Sequence, residues 1–168
     1  ARGFLGGLVY RNDIEGLVGR EFCNPVNITD ASKGQICAAQ QATNVDPQDP
    51  NHSVSGGNLQ LFSTFHPDEA TVAGTSHAPG RYQNMGGFVE EHSRVYKTTD
   101  SAKLHEVIDY YPPEHIPVFS ALVENFLLFD HWFASVPGPT NPNRAYLTSG
   151  TSAGHGSNDN AFNVYGLK

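Results

Sequence analysis

The sequence predicts a loop-rich α/β fold in one domain that spans residues 1–168. Apolar residues at helical spacing over 116–127 are followed by a largely apolar segment, Phe126 to Val136, that fits a buried strand. A proline-rich loop, 137–144, then leads into a helix predicted for Ala145 to Ser152. Because helix, strand, loop and helix succeed one another, the order favours the α/β class.

Composition and charge argue against nucleic acid binding and against a transmembrane segment. The chain carries 17 acidic and 10 basic residues, a formal net charge of −7, and no basic run that could follow a phosphate backbone. We therefore expect no nucleic acid binding. The longest apolar run, Phe126 to Phe129, is far shorter than the roughly 20 residues that span a bilayer. We expect no transmembrane segment. The 17 glycines and 11 prolines indicate many turns and long connections.

The first half of the chain gives weak local signals. Residues 4–18 are apolar pieces broken by glycine and fit either a short strand or a helix end. Residues 21–51 are rich in Asn, Asp, Gln, Ser and Pro, which is typical of a surface excursion. Residues 66–87 again have loop composition.

Two segments have the spacing of helices. Within 88–111, the residues Leu104, Val107, Ile108 and Tyr111 lie at i, i+3, i+4 and i+7, and the rhythm stops at two prolines. The next segment predicts an amphipathic helix that starts near Glu114 with Pro117 in its first turn.

The two cysteines, Cys23 and Cys37, are predicted to form a disulfide. A redox or metal-binding pair is the alternative, although CxxC spacing and a further ligand nearby in sequence are lacking. Closing this loop would stabilise the fold by about 3 kcal/mol in the chain-entropy model. Glycosylation sequons begin at Asn27 and Asn51. Together with the disulfide, the sequons predict a secreted protein.

The loop Pro137-Gly-Pro-Thr-Asn-Pro-Asn-Arg144 is the candidate phosphate site. Thr140 offers a hydroxyl nucleophile, Asn143 an amide, and Arg144 a planar set of donors that suits phosphate oxygens. Three prolines restrict the loop, so these groups could be held at little entropic cost. If Ala145 begins a helix, the loop lies near a helix N-terminus, where amides and the dipole favour phosphate. The alternative is an ordinary Pro/Asn-rich turn.

The segment from Ile116 to Ser152 resembles the phosphoesterase family that contains non-specific phospholipases C and secreted acid phosphatases. Its core is the Thr-x-Pro-Asn-Arg motif, here Thr140 to Arg144. Glu21-Phe-Cys-Asn-Pro-Val-Asn27 and Asp49-Pro-Asn-His-Ser-Val-Ser-Gly56 follow in the family's order and look closest to fungal members. The resemblance implies a partial alkaline-phosphatase-like α/β/α sandwich. It also implies a short helix over 54–65.

The resemblance further implies the chemistry of the site. Thr140 would attack phosphorus and form a phosphothreonine, while Asn143 and Arg144 belong to the same motif. His52, from the Asp-Pro-x-His motif, would bind phosphate or assist the leaving group. A divalent metal of unknown identity would activate the hydroxyl and stabilise developing charge.

The metal ligands cannot be assigned by this resemblance. The family carries them in an early Glu-Asn motif and a late acidic and histidine motif, and neither is recognised here. The chain is thus expected to be the N-terminal portion of a secreted acid phosphatase or phospholipase C that acts on a phosphate ester or phospholipid. The alternatives are an inactive binding or self-assembly module and a sugar-binding glycoprotein. A partial sheet would expose an edge and an apolar face, which predicts an oligomer or a complementing chain.

Overall fold

The computed structural model describes residues 16–17, 20–42, 48–72, 84–129 and 131–159. The predicted element at 4–18 therefore lies almost wholly outside the described residues. Both strands and helices occur among the described residues, separated by long loops, so the chain is α/β and consistent with a partial alkaline-phosphatase-like fold. The elements are β1 (Cys23–Pro25), β2 (Gln35–Cys37), α1 (Val54–Phe62), α2 (Glu69–Val72), α3 (Phe88–Tyr96), α4 (Ser101–Glu106), α5 (Pro117–Asn125) and α6 (Thr140–Ser149).

The chain divides into two compact units, which are described separately. Unit 1 contains residues 1–49 and 88–132, and unit 2 contains residues 50–87 and 133–168. The prediction of one domain stays a prediction.

Unit 1 is built on an antiparallel hairpin in which Cys23 lies opposite Cys37. The two cysteines form the predicted disulfide, which is thereby confirmed. Val89, Leu104 and Ile108 form the buried core, and Phe22, Val26, Ile36, Ala38, Phe88 and Val107 pack against it. Burial of these apolar groups holds α3 and α4 against the hairpin.

Polar side chains fix the same packing. Asn24, fully buried in β1, accepts a hydrogen bond from the Phe88 amide at 2.8 Å and so satisfies a donor at the start of α3. Asp109 accepts from the Ala39 amide at 2.9 Å and from the Gln41 side chain at 2.9 Å. The helical spacing predicted within 88–111 corresponds to two helices, α3 and α4.

Unit 2 is built on α1 and α6. Ser53 caps α1, because its hydroxyl accepts a hydrogen bond from the Gly56 amide at 3.0 Å. Leu59 and Phe62 are buried on α1, and Ala145 is buried on α6. The segment 84–87 returns to α1, where the Gly87 amide donates to the Gln60 carbonyl at 3.2 Å. The short helix predicted over 54–65 is confirmed as α1.

Two predictions about the segments on either side of the candidate loop were wrong. The described residues of 126–136 contain no strand, and Phe126 and Leu127 are 69% and 80% exposed. No partner strand lies beside them in the described part of the chain, and a strand needs a partner for its backbone groups. The helix after the loop begins at Thr140 rather than Ala145. Pro142 permits this because an amide in the first helical turn needs no intrahelical acceptor.

The helix predicted to start near Glu114 is confirmed. A 3-10 turn covers Pro113–His115, and α5 follows with Pro117 as its first residue. Its amphipathic face is not buried within the described residues, since Val118 and Phe119 are 68% and 48% exposed.

Candidate functional site

The loop before α6 is held by the side chain of Asn143. Its Oδ1 accepts a hydrogen bond from the Val136 amide at 3.1 Å. Its Nδ2 donates to the carbonyls of Val136 at 3.0 Å, Gly138 at 3.4 Å and Pro139 at 3.0 Å. One amide thus satisfies four backbone groups of the segment that leads into the helix.

Thr140 and Arg144 are exposed on α6. They stand four residues apart, so they lie on the same face of the helix, with Thr140 as its first residue. Neither side chain makes a hydrogen bond to any part of the chain that the structure describes. A hydroxyl and a guanidinium so arranged can meet one tetrahedral anion, since the guanidinium can donate two hydrogen bonds to its oxygens.

The amides at the start of α6 are partly used. The Asn141 amide donates to Oδ1 of Asn158 at 2.8 Å. Pro142 has no amide hydrogen. Fewer backbone amides at the start of α6 can therefore bind a phosphate than its helix N-terminus alone predicts. Side chains must supply more of the phosphate binding. No pattern in the sequence indicates this role of Asn158.

The N-terminal end of α1 lies against this loop because two glycines leave room for it. A Cβ at Gly57 would lie 2.6 Å from the Pro137 carbonyl oxygen. A Cβ at Gly138 would lie 2.9 Å from Cγ2 of Val54, the first residue of α1. Contacts this short are possible only while both positions lack a side chain, so the close approach depends on glycine.

A third segment joins the same place. Cγ2 of Val54 would stand 3.6 Å from a Cβ at Gly156, and Gly156 follows His155 in the Ser-Ala-Gly-His-Gly segment. His52 is exposed and lies two residues before Val54. Unit 2 therefore gathers the end of the Asp-Pro-x-His segment, the threonine loop and the glycine-histidine segment. Asp49 belongs to unit 1.

The described residues do not assemble a metal site beside Thr140. Their one cluster of three ligand atoms at metal-binding distance joins Glu21, Cys23 and Cys37, in unit 1. Both cysteines are bonded to each other, so their sulfurs are not thiolate ligands. Glu21 alone would remain. This cluster does not fit a catalytic divalent cation, which takes several oxygen or nitrogen ligands.

The two sequons differ in local geometry. Oδ1 of Asn27 accepts hydrogen bonds from both the amide and the hydroxyl of Thr29, each at 2.9 Å. Oδ1 of Asn51 accepts from the Ser53 amide at 3.0 Å, while the Ser53 hydroxyl caps α1. The hydroxyl of the second sequon is thus engaged in the fold.

Comparison with known proteins identifies the class. A family model described as "Phosphoesterase family" matches residues 4–166. The chain belongs to this phosphoesterase family, as its motifs indicate. Within the described residues, no helix is long and apolar enough to cross a membrane.

Named relatives come from Arabidopsis thaliana. The chain is 37% identical to non-specific phospholipase C6 over 84% of its own length and 23% of that protein. It is 37% identical to non-specific phospholipase C3, covering 81% of this chain and 24% of that one. Identity to non-specific phospholipase C1 is 35%, over 88% and 24%. The chain spans about a quarter of the length of the relatives it matches. The likeness to fungal members stays a prediction.

Proposed function

We propose that this chain carries the nucleophile and part of the phosphate-binding groups of a phosphoester hydrolase. Unit 2 supplies the observation that carries the proposal. Val54, two residues after His52, lies 2.9 Å and 3.6 Å from the positions that a Cβ would take at Gly138 and Gly156, so the segments that carry the Asp-Pro-x-His motif, the Thr-x-Pro-Asn-Arg motif and the glycine-histidine sequence meet at the loop that precedes Thr140. The relatives' names, non-specific phospholipases C, favour a phospholipid or another phosphate ester as substrate.

In the proposed reaction, Oγ of Thr140 attacks phosphorus. The Oγ–P bond forms while the bond from phosphorus to the leaving oxygen breaks, the Thr140 hydroxyl gives up its proton to the surrounding water, and the leaving oxygen takes up a proton. Arg144 binds the phosphoryl oxygens through paired hydrogen bonds. His52 binds the phosphoryl group or protonates the leaving oxygen. Water then attacks the phosphothreonine and supplies the proton that restores the Thr140 hydroxyl, which releases phosphate from a monoester substrate or the phosphorylated head group from a phospholipid. Asn143 was predicted from its motif to bind phosphate, and that contact stays a prediction.

A divalent metal is part of this proposal, because the family resemblance implies one. Such an ion would supply electrostatic stabilisation of the charge that develops on the phosphoryl oxygens. The described residues bring together no cluster of ligands that fits such an ion, so no step is assigned to it.

The test uses the purified chain with 4-nitrophenyl phosphate and 4-nitrophenyl phosphorylcholine. Each is assayed with Mg²⁺, Mn²⁺ or Zn²⁺ and with a chelator. Thr140→Val removes the hydroxyl at nearly constant shape, and Thr140→Ser keeps a hydroxyl. Thr148→Val is the matched control, since its hydroxyl donates within the same helix to the Arg144 carbonyl at 2.9 Å.

We expect turnover that Thr140→Val abolishes, that Thr140→Ser retains in part and that Thr148→Val retains. Acid quenching followed by mass spectrometry should find phosphate on Thr140. Full activity in Thr140→Val would refute the nucleophile. Absence of turnover in the unaltered chain with every metal would favour an inactive module.

We also propose the cellular route that this protein follows. A disulfide and two sequons are typical of proteins that pass through an oxidising secretory route, and we propose that this protein is secreted and glycosylated. Asn27 should carry glycan more fully than Asn51, since the Ser53 hydroxyl caps α1. Expression in a secreting eukaryotic cell, with Asn27→Gln and Asn51→Gln compared by gel mobility after glycosidase treatment, tests this. Equal mobility of all forms would contradict it.

The proposal also covers a partner. Val118, Phe119, Leu122 and Phe126 form an exposed apolar face on α5 and at its end, from 47% to 69% exposed. Apolar area of this kind marks an interaction surface. The relatives are about four times as long as the chain, so we assign the face to further polypeptide of the family, in the same chain or a complementing one.

A further inference from the structure

Asn143 has its hydrogen-bonding capacity directed to the backbone of 136–139. Its side-chain amide has two hydrogens and one carbonyl oxygen. The two hydrogens are shared among three carbonyl oxygens, at 3.0, 3.4 and 3.0 Å, and the oxygen accepts from the Val136 amide at 3.1 Å. Both ends of the amide are therefore engaged.

The bonded residues surround the entry to α6. Val136, Gly138 and Pro139 lie directly before Thr140, and Pro139 is the residue that precedes the helix. Pro137, between them, presents its carbonyl to Gly57 of α1. The path of the chain into Thr140 is thus fixed from one side by Asn143 and from the other by α1.

We infer that Asn143 is a positioning residue, which places the Thr140 hydroxyl by holding the preceding loop. The inference rests on the proposed function, since it assigns a role within the same site. A neutral amide is needed because it is donor and acceptor at once. A carboxylate would keep the acceptor for the Val136 amide and would turn negative charge toward three carbonyl oxygens.

The first experiment measures the loop without turnover. Amide hydrogen exchange at Val136 and the NMR shift of the Thr140 methyl group are compared in the unaltered chain, Asn143→Ala and Asn143→Asp. Asn141→Ala is the matched control, because the Asn141 side chain makes no hydrogen bond to the described residues, and only its backbone amide meets Asn158.

We expect Val136 exchange to accelerate by about tenfold in Asn143→Ala, the equivalent of one lost hydrogen bond, and the Thr140 methyl shift to move. Asn141→Ala should leave both unchanged. Asn143→Asp should behave like Asn143→Ala at neutral pH and recover on acidification, because a protonated carboxyl is again donor and acceptor.

The second experiment measures kcat and KM for 4-nitrophenyl phosphate. Misplacing the nucleophile should lower kcat by about 10- to 100-fold and change KM little. A rise in KM with kcat unchanged, together with unaltered Val136 exchange, would show that Asn143 binds phosphate directly and would overturn the inference. If the unaltered chain has no turnover, the proposed function fails for this chain, while the exchange and methyl measurements still decide whether Asn143 holds the loop at Thr140.

Discussion

Replacing Gly57 with alanine tests whether the close approach of α1 to the threonine loop holds unit 2 together. The added Cβ would stand 2.6 Å from the Pro137 carbonyl oxygen, whereas an ordinary carbon–oxygen contact is about 3.3 Å. The helix and the loop would have to separate by about 0.7 Å. Because the loop is hydrogen-bonded to Asn143 on both sides of Pro137, it cannot yield freely.

The expected cost follows from two opposed effects. Overpacking of this size costs roughly 1–3 kcal/mol. Alanine in a helix is favoured over glycine by roughly 0.5–1 kcal/mol. The difference spans roughly 0–2.5 kcal/mol, so we expect Gly57→Ala to lower the free energy of unfolding by about 1 kcal/mol, which corresponds to a fall in Tm of roughly 2–4 °C for a chain of this size.

Thermal unfolding followed by circular dichroism measures the effect. Gly156→Ala is the matched control, because its Cβ would lie 3.6 Å from Cγ2 of Val54, an ordinary contact, in the same cluster. It should unfold within about 0.5 kcal/mol of the unaltered chain. If Gly57→Ala unfolded at the same temperature as Gly156→Ala or above it, the close approach would not be a constraint, and α1 would not hold the loop in place.

Three further predictions concern other parts of the molecule. Arg144→Lys should raise KM for a phosphate monoester by about tenfold, because the paired hydrogen bonds are lost while the charge is kept; an unchanged KM would remove Arg144 from the site. Cys23→Ser with Cys37→Ser should destabilise unit 1 by about 3 kcal/mol in urea unfolding, and no shift in midpoint would contradict this. In light scattering, the 18.2 kDa chain should associate as concentration rises, and Leu122→Glu should weaken the association. A clean monomer would count against the apolar face, and a discrete dimer would assign it to a second copy.

Local patterns predicted the elements whose own residues determine them. The spacing around Pro117 predicts α5, and two cysteines within a polar loop predict the disulfide. The strand predicted for Phe126 to Val136 was wrong because a strand forms only beside a partner strand. The local sequence does not specify that partner. Apolar segments also form interfaces, and the exposure of Phe126 and Leu127 fits that second use.

The sequence predicts which residues could carry the chemistry of the site, but it does not predict the contacts that hold them in place. Thr140 and Arg144 could be found from residue type and motif. Gly57 could have been noticed, since a glycine pair inside a predicted helix often marks a close approach of backbone. The bonds of Asn143 to the loop depend on where the chain folds back on itself, so residue type alone allowed it to be assigned to phosphate.

Helical geometry gives the residues of the motif Thr140 to Arg144 two different roles. Residues four apart share a face, so Thr140 and Arg144 stand together and exposed, available to a substrate. Between them, Pro142 is buried and Asn143 turns to the loop. The two outer positions therefore suit the chemistry, and two of the three positions between them, Pro142 and Asn143, hold the backbone that presents it. On this argument the loop conformation depends on Pro142 and Asn143, and phosphate binding depends on Thr140 and Arg144, so the two pairs should separate stability from affinity when each is substituted.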